Sequence, residues 1–262
     1  MQVARWTVKW IVGVAPALAA LVLGVSPSPS YARSSHVVGS VCANVAGPKP
    51  VKGPEPDISW RIGLTGRTAV FDSLPGPRLR QSEWVGPREA PSLLVIAPPR
   101  SDQGRCWVRV RLPWRPNNAS GWINADNVSL TQTDWRIEVS TARRTLTLFQ
   151  GGKPVRTISV VVGAPGTPTP NGLFAIAWAV PWNPNAFLGS WVLELTAHSN
   201  VLQQFDGGDG LVGIHGRGGA SLLNPLGTAA SHGCIRLANA DIDWLVHRIR
   251  AADLPGIPVE IS

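Results

Sequence analysis

The segment Ser231-His232-Gly233-Cys234-Ile235-Arg236-Leu237 follows the tripeptide Ile214-His215-Gly216 after fourteen intervening residues. Cys234 is one of three cysteines in the chain, and a glycine precedes it. A cysteine attacks a carbonyl group as the thiolate, and a nearby imidazole is the commonest means of generating a thiolate near neutral pH. This pairing of cysteine with histidine points to covalent acyl-transfer chemistry.

The residues around Cys234 and His215 suit that chemistry. Glycine at position 233 lets a substrate carbonyl approach the backbone, and N–H groups near Cys234 could donate to the oxygen that becomes negative. The second ring nitrogen of His215 needs an acceptor that fixes its tautomer, and the carbonyl of Gly216 could serve. The guanidinium of Arg236 is suited to bidentate capture of a carboxylate.

These residues resemble the motif of the YkuD-type L,D-transpeptidases. The resemblance extends to the upstream stretch Pro168-Thr169-Pro170-Asn171-Gly172-Leu173-Phe174 and covers residues 135–262. It implies a β-rich sandwich with short helices and the formation of 3→3 cross-links in peptidoglycan. One position departs from many relatives, in which threonine follows the first His-Gly where this chain has Arg217.

The resemblance also implies roles for individual residues. Cys234 would attack the third residue of a tetrapeptide donor stem, a diamino acid, and D-Ala would leave; the side-chain amine of an acceptor stem would then attack the thioester. His215 would be the general base and acid. Gly216 and Gly233 would orient groups or bind the oxyanion. Substrate contacts are expected from Arg236, Ser231 and His232, and a covalent carbapenem adduct is expected on Cys234. His232 fits a structural role equally well.

The preceding part of the chain has the pattern of short strands between turns. Trp107 to Leu112 alternates apolar and cationic residues as a half-buried strand does, and Gly121-Trp122-Ile123 begins another strand. The order of these elements resembles a bacterial SH3-like β domain over residues 58–131, which could equally be a packing module without a ligand. Residues 33–57, rich in glycine and proline, are predicted to be a linker. The predicted fold class is therefore mainly β.

The N-terminus has the pattern of an export signal. Arg5 and Lys9 precede an apolar run from Trp10 to Val25, and Tyr31-Ala32 ends a cleavage-site pattern. Residues 1–32 are predicted to be a signal peptide, with an uncleaved membrane anchor as the alternative. Either interpretation places the rest of the chain outside the cytosol, in the cell wall or the periplasmic space.

The composition of the chain limits the classes of partner that it is expected to bind. The net charge of +8 favours anionic partners, and the chain contains no nucleic-acid-binding motif. A zinc site built from the cysteine and the histidines is disfavoured because its spacing matches no zinc pattern. We expect no metal, no cofactor and a monomer that acts on donor and acceptor stems. Export permits a disulfide, which we predict between Cys42 and Cys106, leaving Cys234 free.

Two further expectations concern local structure. Ile242, Leu245, Val246 and Ile249 are spaced as the apolar face of a helix, with Asn239 as its N-cap. His198 carries no motif and is expected to be exposed.

Two other functions stay open at this stage. An L,D-carboxypeptidase would share the thioester and use water as the acceptor. A non-catalytic cell-wall-binding protein would rely on the SH3-like half and the basic surface.

Overall fold

The computed structural model describes residues 58–74, 85, 90–204 and 208–262. The predicted signal peptide, the linker and Cys42 lie outside these residues. In the described part of the chain, no helix is both long and apolar enough to cross a membrane. Strands dominate that part, so the prediction of a mainly β protein is confirmed.

The first sheet has five antiparallel strands in the order β4-β3-β2-β1-β5. Its interior face buries apolar side chains such as Ile62, Leu93 and Val108. The resemblance of this region to an SH3-like domain stays a prediction. The strands are β1 (Ser59–Gly63), β2 (Ser92–Asp102), β3 (Arg105–Arg111), β4 (Ser120–Asn124) and β5 (Ser129–Thr133).

The second sheet has eight strands in the order β14-β12-β11-β10-β15-β6-β7-β8. Most neighbours are antiparallel, whereas β12 pairs with β14, and β15 with β6, in parallel. A separate two-stranded sheet joins β13 to β9. The strands are β6 (Trp135–Ser140), β7 (Thr145–Gln150), β8 (Lys153–Ser159), β9 (Val162–Gly163), β10 (Gly172–Pro181), β11 (Trp191–His198), β12 (Leu211–His215), β13 (Ala229–Ser231), β14 (Ile235–Arg236) and β15 (Pro258–Ile261).

One α-helix, α1 (Asn239–Ile249), packs on the second sheet within the described residues. The predicted apolar face is confirmed, since Ile242, Leu245, Val246 and Ile249 are all buried. The predicted N-cap is wrong: Ala238 occupies that position, and no side chain caps the helix. The side chain of Asn239 is used elsewhere, as described below. Short 3-10 helices span Ala125–Asn127, Gly219–Leu223 and Ala251–Asp253.

Long polar side chains join the two sheets. Arg61 of β1 donates to the carbonyl of Pro255 at 3.0 Å. Between β3 and β4, the guanidinium of Arg115 donates to the carbonyl of Ser199 at 2.9 Å. Asn117 accepts from the backbone N–H of His198 at 2.7 Å. Each of these bonds gives a hydrogen-bond partner to a backbone N–H or C=O group outside the regular pairing of the strands.

The expected exposure of His198 is wrong, because its side chain is fully buried at the end of β11. Nε2 lies 3.1 Å from the carboxylate of Asp209. Burial, more than any other effect, lowers the pKa of this imidazole, although Asp209 opposes the shift. His198 therefore belongs to the contact with the first sheet.

The described cysteines have different states. Cys106 is disulfide-bonded, whereas Cys234 is free. The predicted partner of Cys106, Cys42, lies outside the described residues, so that pairing stays a prediction.

Candidate active site

Parallel pairing of β12 with β14 brings the cysteine and histidine motifs together. Ile214 pairs with Ile235 and His215 with Arg236. Continued by one residue, this register places Cys234 opposite Gly213 and therefore diagonal to His215, on the same face of the sheet. Strands about 4.8 Å apart with a rise of about 3.3 Å per residue put the two Cα atoms about 8 Å apart. Two side chains that eighteen residues separate in the sequence, 216–233, are therefore neighbours in space.

Hydrogen bonds within the turn fix the backbone around Cys234. The hydroxyl of Ser231 donates to the carbonyl of Cys234 at 2.6 Å and accepts from the N–H of Gly233 at 3.1 Å. Gly233 has a φ of +121°, which side-chain-bearing residues rarely adopt. The N–H of Gly233 is thus engaged inside the turn, and conformation is what requires glycine there.

A threonine from the upstream motif anchors the same turn. The hydroxyl of buried Thr169 donates to the carbonyl of Gly233 at 2.8 Å and accepts from the N–H of Gly163 at 2.8 Å. Thr169 belongs to the stretch from Pro168 to Phe174 that resembles the family motif, so this stretch helps to hold the turn that contains Cys234.

His215 is 1% exposed, and backbone groups hold its ring. Nδ1 lies 2.7 Å from the carbonyl oxygen of Gly216. Since this oxygen only accepts, Nδ1 carries the proton and Nε2 is left as the base. Burial lowers the pKa of the ring to about 4, while hydrogen bonds to the backbone of Gly216 and Leu188 oppose the shift and the charge of Arg236 adds to it. The imidazole is neutral at pH 7.

The thiol of Cys234 is also neutral at rest. Burial raises its pKa, whereas a hydrogen bond from the backbone of Gly213 and the charge of Arg236 lower it. Within the described residues, no hydrogen bond joins the sulfur to the ring of His215. The sequence predicted a thiolate generated by the imidazole, and this stays a prediction. Desolvation opposes charge on both groups and favours their neutral forms at rest.

Arg236 lies under the loop that connects β10 to β11. It is 3% exposed and donates to the side chain of Asn224 at 2.8 Å. The ring of Phe187 covers its guanidinium at 4.8 Å and lies 6.4 Å from the ring of His215. A substrate carboxylate would reach Arg236 only after Phe187 moves. At rest, the cation acts on the thiol and the imidazole through its charge.

The remaining candidates differ in access. Ser231 is buried and hydrogen-bonded within the turn, so its predicted substrate contact would require those bonds to rearrange. His232, two residues before Cys234, is exposed. Gly216 is buried, and its carbonyl makes the predicted contact with His215. The catalytic and binding roles themselves stay predictions.

Sequence reasoning missed the part that Asn239 plays in the site. Its Oδ1 accepts from the N–H of Arg217 at 2.9 Å and of Ser190 at 3.2 Å, and its Nδ2 donates to the carbonyl of Pro184 at 2.9 Å. The carbonyl of Gly216 and the N–H of Arg217 belong to one peptide unit. Asn239 therefore holds the peptide unit that orients His215, and hydrogen bonds in such a chain polarise one another.

The close approach of Asn239 also explains two glycines. A Cβ at Gly216 or at Gly189 would overlap Oδ1 of Asn239. The signal in the sequence was the asparagine at the start of α1, whose amide could bind backbone groups other than those of its own helix. Only the tertiary structure shows which groups those are.

We expect Asn239→Ala to destabilise the protein by about 2–3 kcal/mol, because the backbone N–H groups of Arg217 and Ser190 lose their partner. Chemical denaturation measures this loss. We also expect the Nδ1–H resonance of His215 to weaken in NMR spectra, since its acceptor is no longer fixed. The matched control is Asn185→Ala on the exposed loop, which should change stability by less than about 0.5 kcal/mol. An unchanged resonance in Asn239→Ala would contradict the positioning role.

Comparison with known families agrees with the motif. Residues 134–261 match the YkuD family model, described as an L,D-transpeptidase catalytic domain. A curated protein of Bacillus licheniformis, named as an L,D-transpeptidase of the YkuD type, is 35% identical over 108 residues, which are 41% of this chain and 56% of that protein. The chain thus spans little more than half the length of this relative. The predicted resemblance is confirmed for residues 134–261.

The solved structures that match this chain have low sequence identity and low TM-scores. L,D-transpeptidase 3 from Mycobacterium tuberculosis, with a faropenem-derived adduct, is 14% identical with a TM-score of 0.41, over 76% of this chain and 96% of that one. An L,D-transpeptidase from Mycobacterium smegmatis is 17% identical with a TM-score of 0.36, over 65% and 90%. One from Xylanimonas cellulosilytica is 25% identical with a TM-score of 0.32, over 50% and 61%.

Proposed function

We propose that this chain is an L,D-transpeptidase of the YkuD family that cross-links peptidoglycan stem peptides outside the cytosol. The observation that carries the proposal is the placement of the free Cys234 on the same sheet face as His215, inside the region that matches the family model. A partly buried thiol next to β14 and a buried imidazole on β12 are suited to nucleophilic catalysis with general-base assistance.

The first half-reaction forms a thioester. Nε2 of His215 accepts the proton of the Cys234 thiol as the sulfur attacks the carbonyl of the diamino acid, the third residue of the donor stem. The tetrahedral intermediate collapses, the peptide bond to D-Ala breaks, and the imidazolium returns the proton to the departing amine. One D-Ala is released, and the donor stem is bound to the sulfur.

The second half-reaction transfers the donor to an acceptor stem. A neutral side-chain amine of the acceptor attacks the thioester carbonyl, and His215 takes a proton from the attacking nitrogen. The carbon–sulfur bond breaks, and the sulfur regains that proton. The exchange of one amide bond for another needs no external energy source, which suits a reaction outside the cytosol.

Arg236 and the backbone stabilise charge on the sulfur during both steps. The cation and the hydrogen bond from Gly213 already lower the pKa of Cys234 against the effect of burial. Their stabilisation acts fully only when the sulfur becomes negative, so it favours the transition state over the resting thiol. The positive charge of Arg236 also lowers the pKa of the neighbouring imidazole, which keeps the ring neutral and able to accept a proton, although as a weaker base.

The N-terminal sequence supports the proposed location. The charged, apolar and small-residue pattern of residues 1–32 is that of an export signal, and it would deliver residues 58–262 to the cell wall or periplasmic space. The five-stranded sheet would accompany the catalytic domain as an SH3-like module, with a net basic chain favouring the anionic wall.

Product analysis tests the reaction. The purified protein is incubated with tetrapeptide stems, and the products are identified by mass spectrometry. We expect cross-linked dimers together with one released D-Ala per cross-link. Tripeptide without dimer would instead establish an L,D-carboxypeptidase, in which water takes the place of the acceptor amine. Binding to sacculi with neither product would establish a non-catalytic wall-binding protein.

A further inference from the structure

Three neighbouring strands place Glu194, Gly213 and Cys234 in one row. Glu194 of β11 pairs with Gly213 of β12, and Gly213 lies opposite Cys234 in the parallel register that pairs Ile214 with Ile235. Residues directly opposite each other share a face of the sheet. With strands about 4.8 Å apart, the Cα atoms of Glu194 and Cys234 are about 10 Å apart.

Because Gly213 has no side chain, it leaves the surface of the sheet open between the side chains of Glu194 and Cys234. A Cβ at position 213 would meet the carbonyl oxygen of Leu193 at 3.3 Å and a methyl group of Val192 at 3.7 Å, so a small side chain would fit with a slight adjustment. Neither a positive φ nor a severe overlap therefore demands glycine at Gly213. Its absent side chain opens a path along the sheet from Cys234 to Glu194.

The carboxylate of Glu194 has no partner in the described part of the chain. It is half-buried, and burial alone raises its pKa. No hydrogen bond or ion pair to it occurs among residues 58–74, 85, 90–204 and 208–262. A desolvated carboxylate without a partner is unfavourable, and a ligand that brings a cation would remove that cost.

Trp178 bounds the row at its far end. It pairs with Glu194 across β10 and β11, and it packs against the core of the first sheet. The row therefore has a nucleophile at one end, an open centre, and a carboxylate at the other end. An ammonium group fits that end, because it forms an ion pair with a partly desolvated carboxylate.

We propose that Glu194 binds the ammonium group at the end of the donor stem's diamino-acid side chain while Cys234 attacks the carbonyl at the other end of the same residue. The inference rests on the proposed function. The ligand is the donor because an acceptor amine must reach the thioester unprotonated, whereas a group held at Glu194 lies several Å from the sulfur. Glu194 is thus a specificity-determining residue.

The experiment compares two donor stems that differ only in this group. One carries the free side-chain amine, and the other carries the same amine acetylated. Release of D-Ala gives kcat/KM for each stem with wild type, Glu194→Gln and the control Glu260→Gln, an exposed carboxylate on β15. We expect wild type and Glu260→Gln to prefer the free amine by at least tenfold, and Glu194→Gln to lose that preference by slowing only on the free-amine stem.

Two further measurements separate the possible failures. Alkylation of Cys234 by iodoacetamide should proceed equally in wild type and Glu194→Gln, which shows that the site is folded. Gly213→Leu should slow both stems, because its side chain would fill the floor of the row. If wild type releases D-Ala from neither stem, the proposed function is wrong. If it uses both stems equally well and Glu194→Gln does not alter the ratio, the function stands and the inference about Glu194 is overturned.

Discussion

Cys234→Ala should lower the formation of cross-linked dimers and the release of D-Ala by at least about 10³-fold, since removal of a nucleophile eliminates the covalent route. The variant should also fail to form the carbapenem adduct that the family resemblance leads us to expect. Mass spectrometry of the intact protein detects that adduct directly. The loss of turnover and the loss of the adduct both follow from removal of the Cys234 sulfur, because Cys234 is the free cysteine in the described part of the chain.

Cys234→Ser is the companion variant. Its hydroxyl keeps the shape of the side chain but is far harder to deprotonate than a thiol, so we expect it to bind stems and release no D-Ala. The turn should survive both changes, because Ser231 and Thr169 hold it through backbone groups. Circular dichroism and chemical denaturation check the fold. Full turnover by Cys234→Ala would show that Cys234 is not the nucleophile.

The sequence predicted those parts of the structure that depend on local pattern. Periodicity identified the buried face of α1, and the apolar run ending at His215 is β12. The motif identified Cys234 and His215 as partners because the spacing of such residues is a property of the chain itself. Gly233 was attributed to the approach of a substrate carbonyl, and its positive φ is seen only in the structure.

Features that depend on contacts between distant segments were not predictable. Asn239 looked like a helix cap, and its amide instead binds Ser190 and Arg217, which are remote in sequence. His198 is buried at the end of β11, where its backbone N–H donates to Asn117 in the turn between β3 and β4. The protonation of Cys234 and His215 depends on desolvation, and a sequence does not show which neighbours exclude water.

His215→Ala should lower the rate of acylation of Cys234 by about 10²–10⁴-fold, the usual contribution of a general base. The pH dependence should change as well. In the wild type, acid slows acylation because the protonated ring cannot accept the proton of the thiol. With the pKa of His215 lowered to about 4, the rate should be level near neutrality and should fall only as the pH approaches that value.

Without the imidazole, the only route to the nucleophile is ionisation of the thiol itself. Burial raises the pKa of Cys234, so the residual rate of His215→Ala should climb with pH throughout the neutral and mildly alkaline range. Near pH 7 the acylation rate of the wild type should therefore be independent of pH, whereas that of His215→Ala should rise with pH. Quenched-flow mass spectrometry of the carbapenem adduct at constant ionic strength measures both.

His247→Ala is the matched control, because this exposed imidazole lies on α1 away from Cys234 in sequence and donates to the carbonyl of Asp243 on its own helix. It should retain the wild-type rate and profile. Parallel profiles for wild type and His215→Ala would show that some other group removes the proton. Nδ1 of His215 is already bonded to the carbonyl of Gly216. If the pH-independent acylation rate of the wild type is lost in His215→Ala, Nε2 is therefore the atom that receives the proton of the thiol.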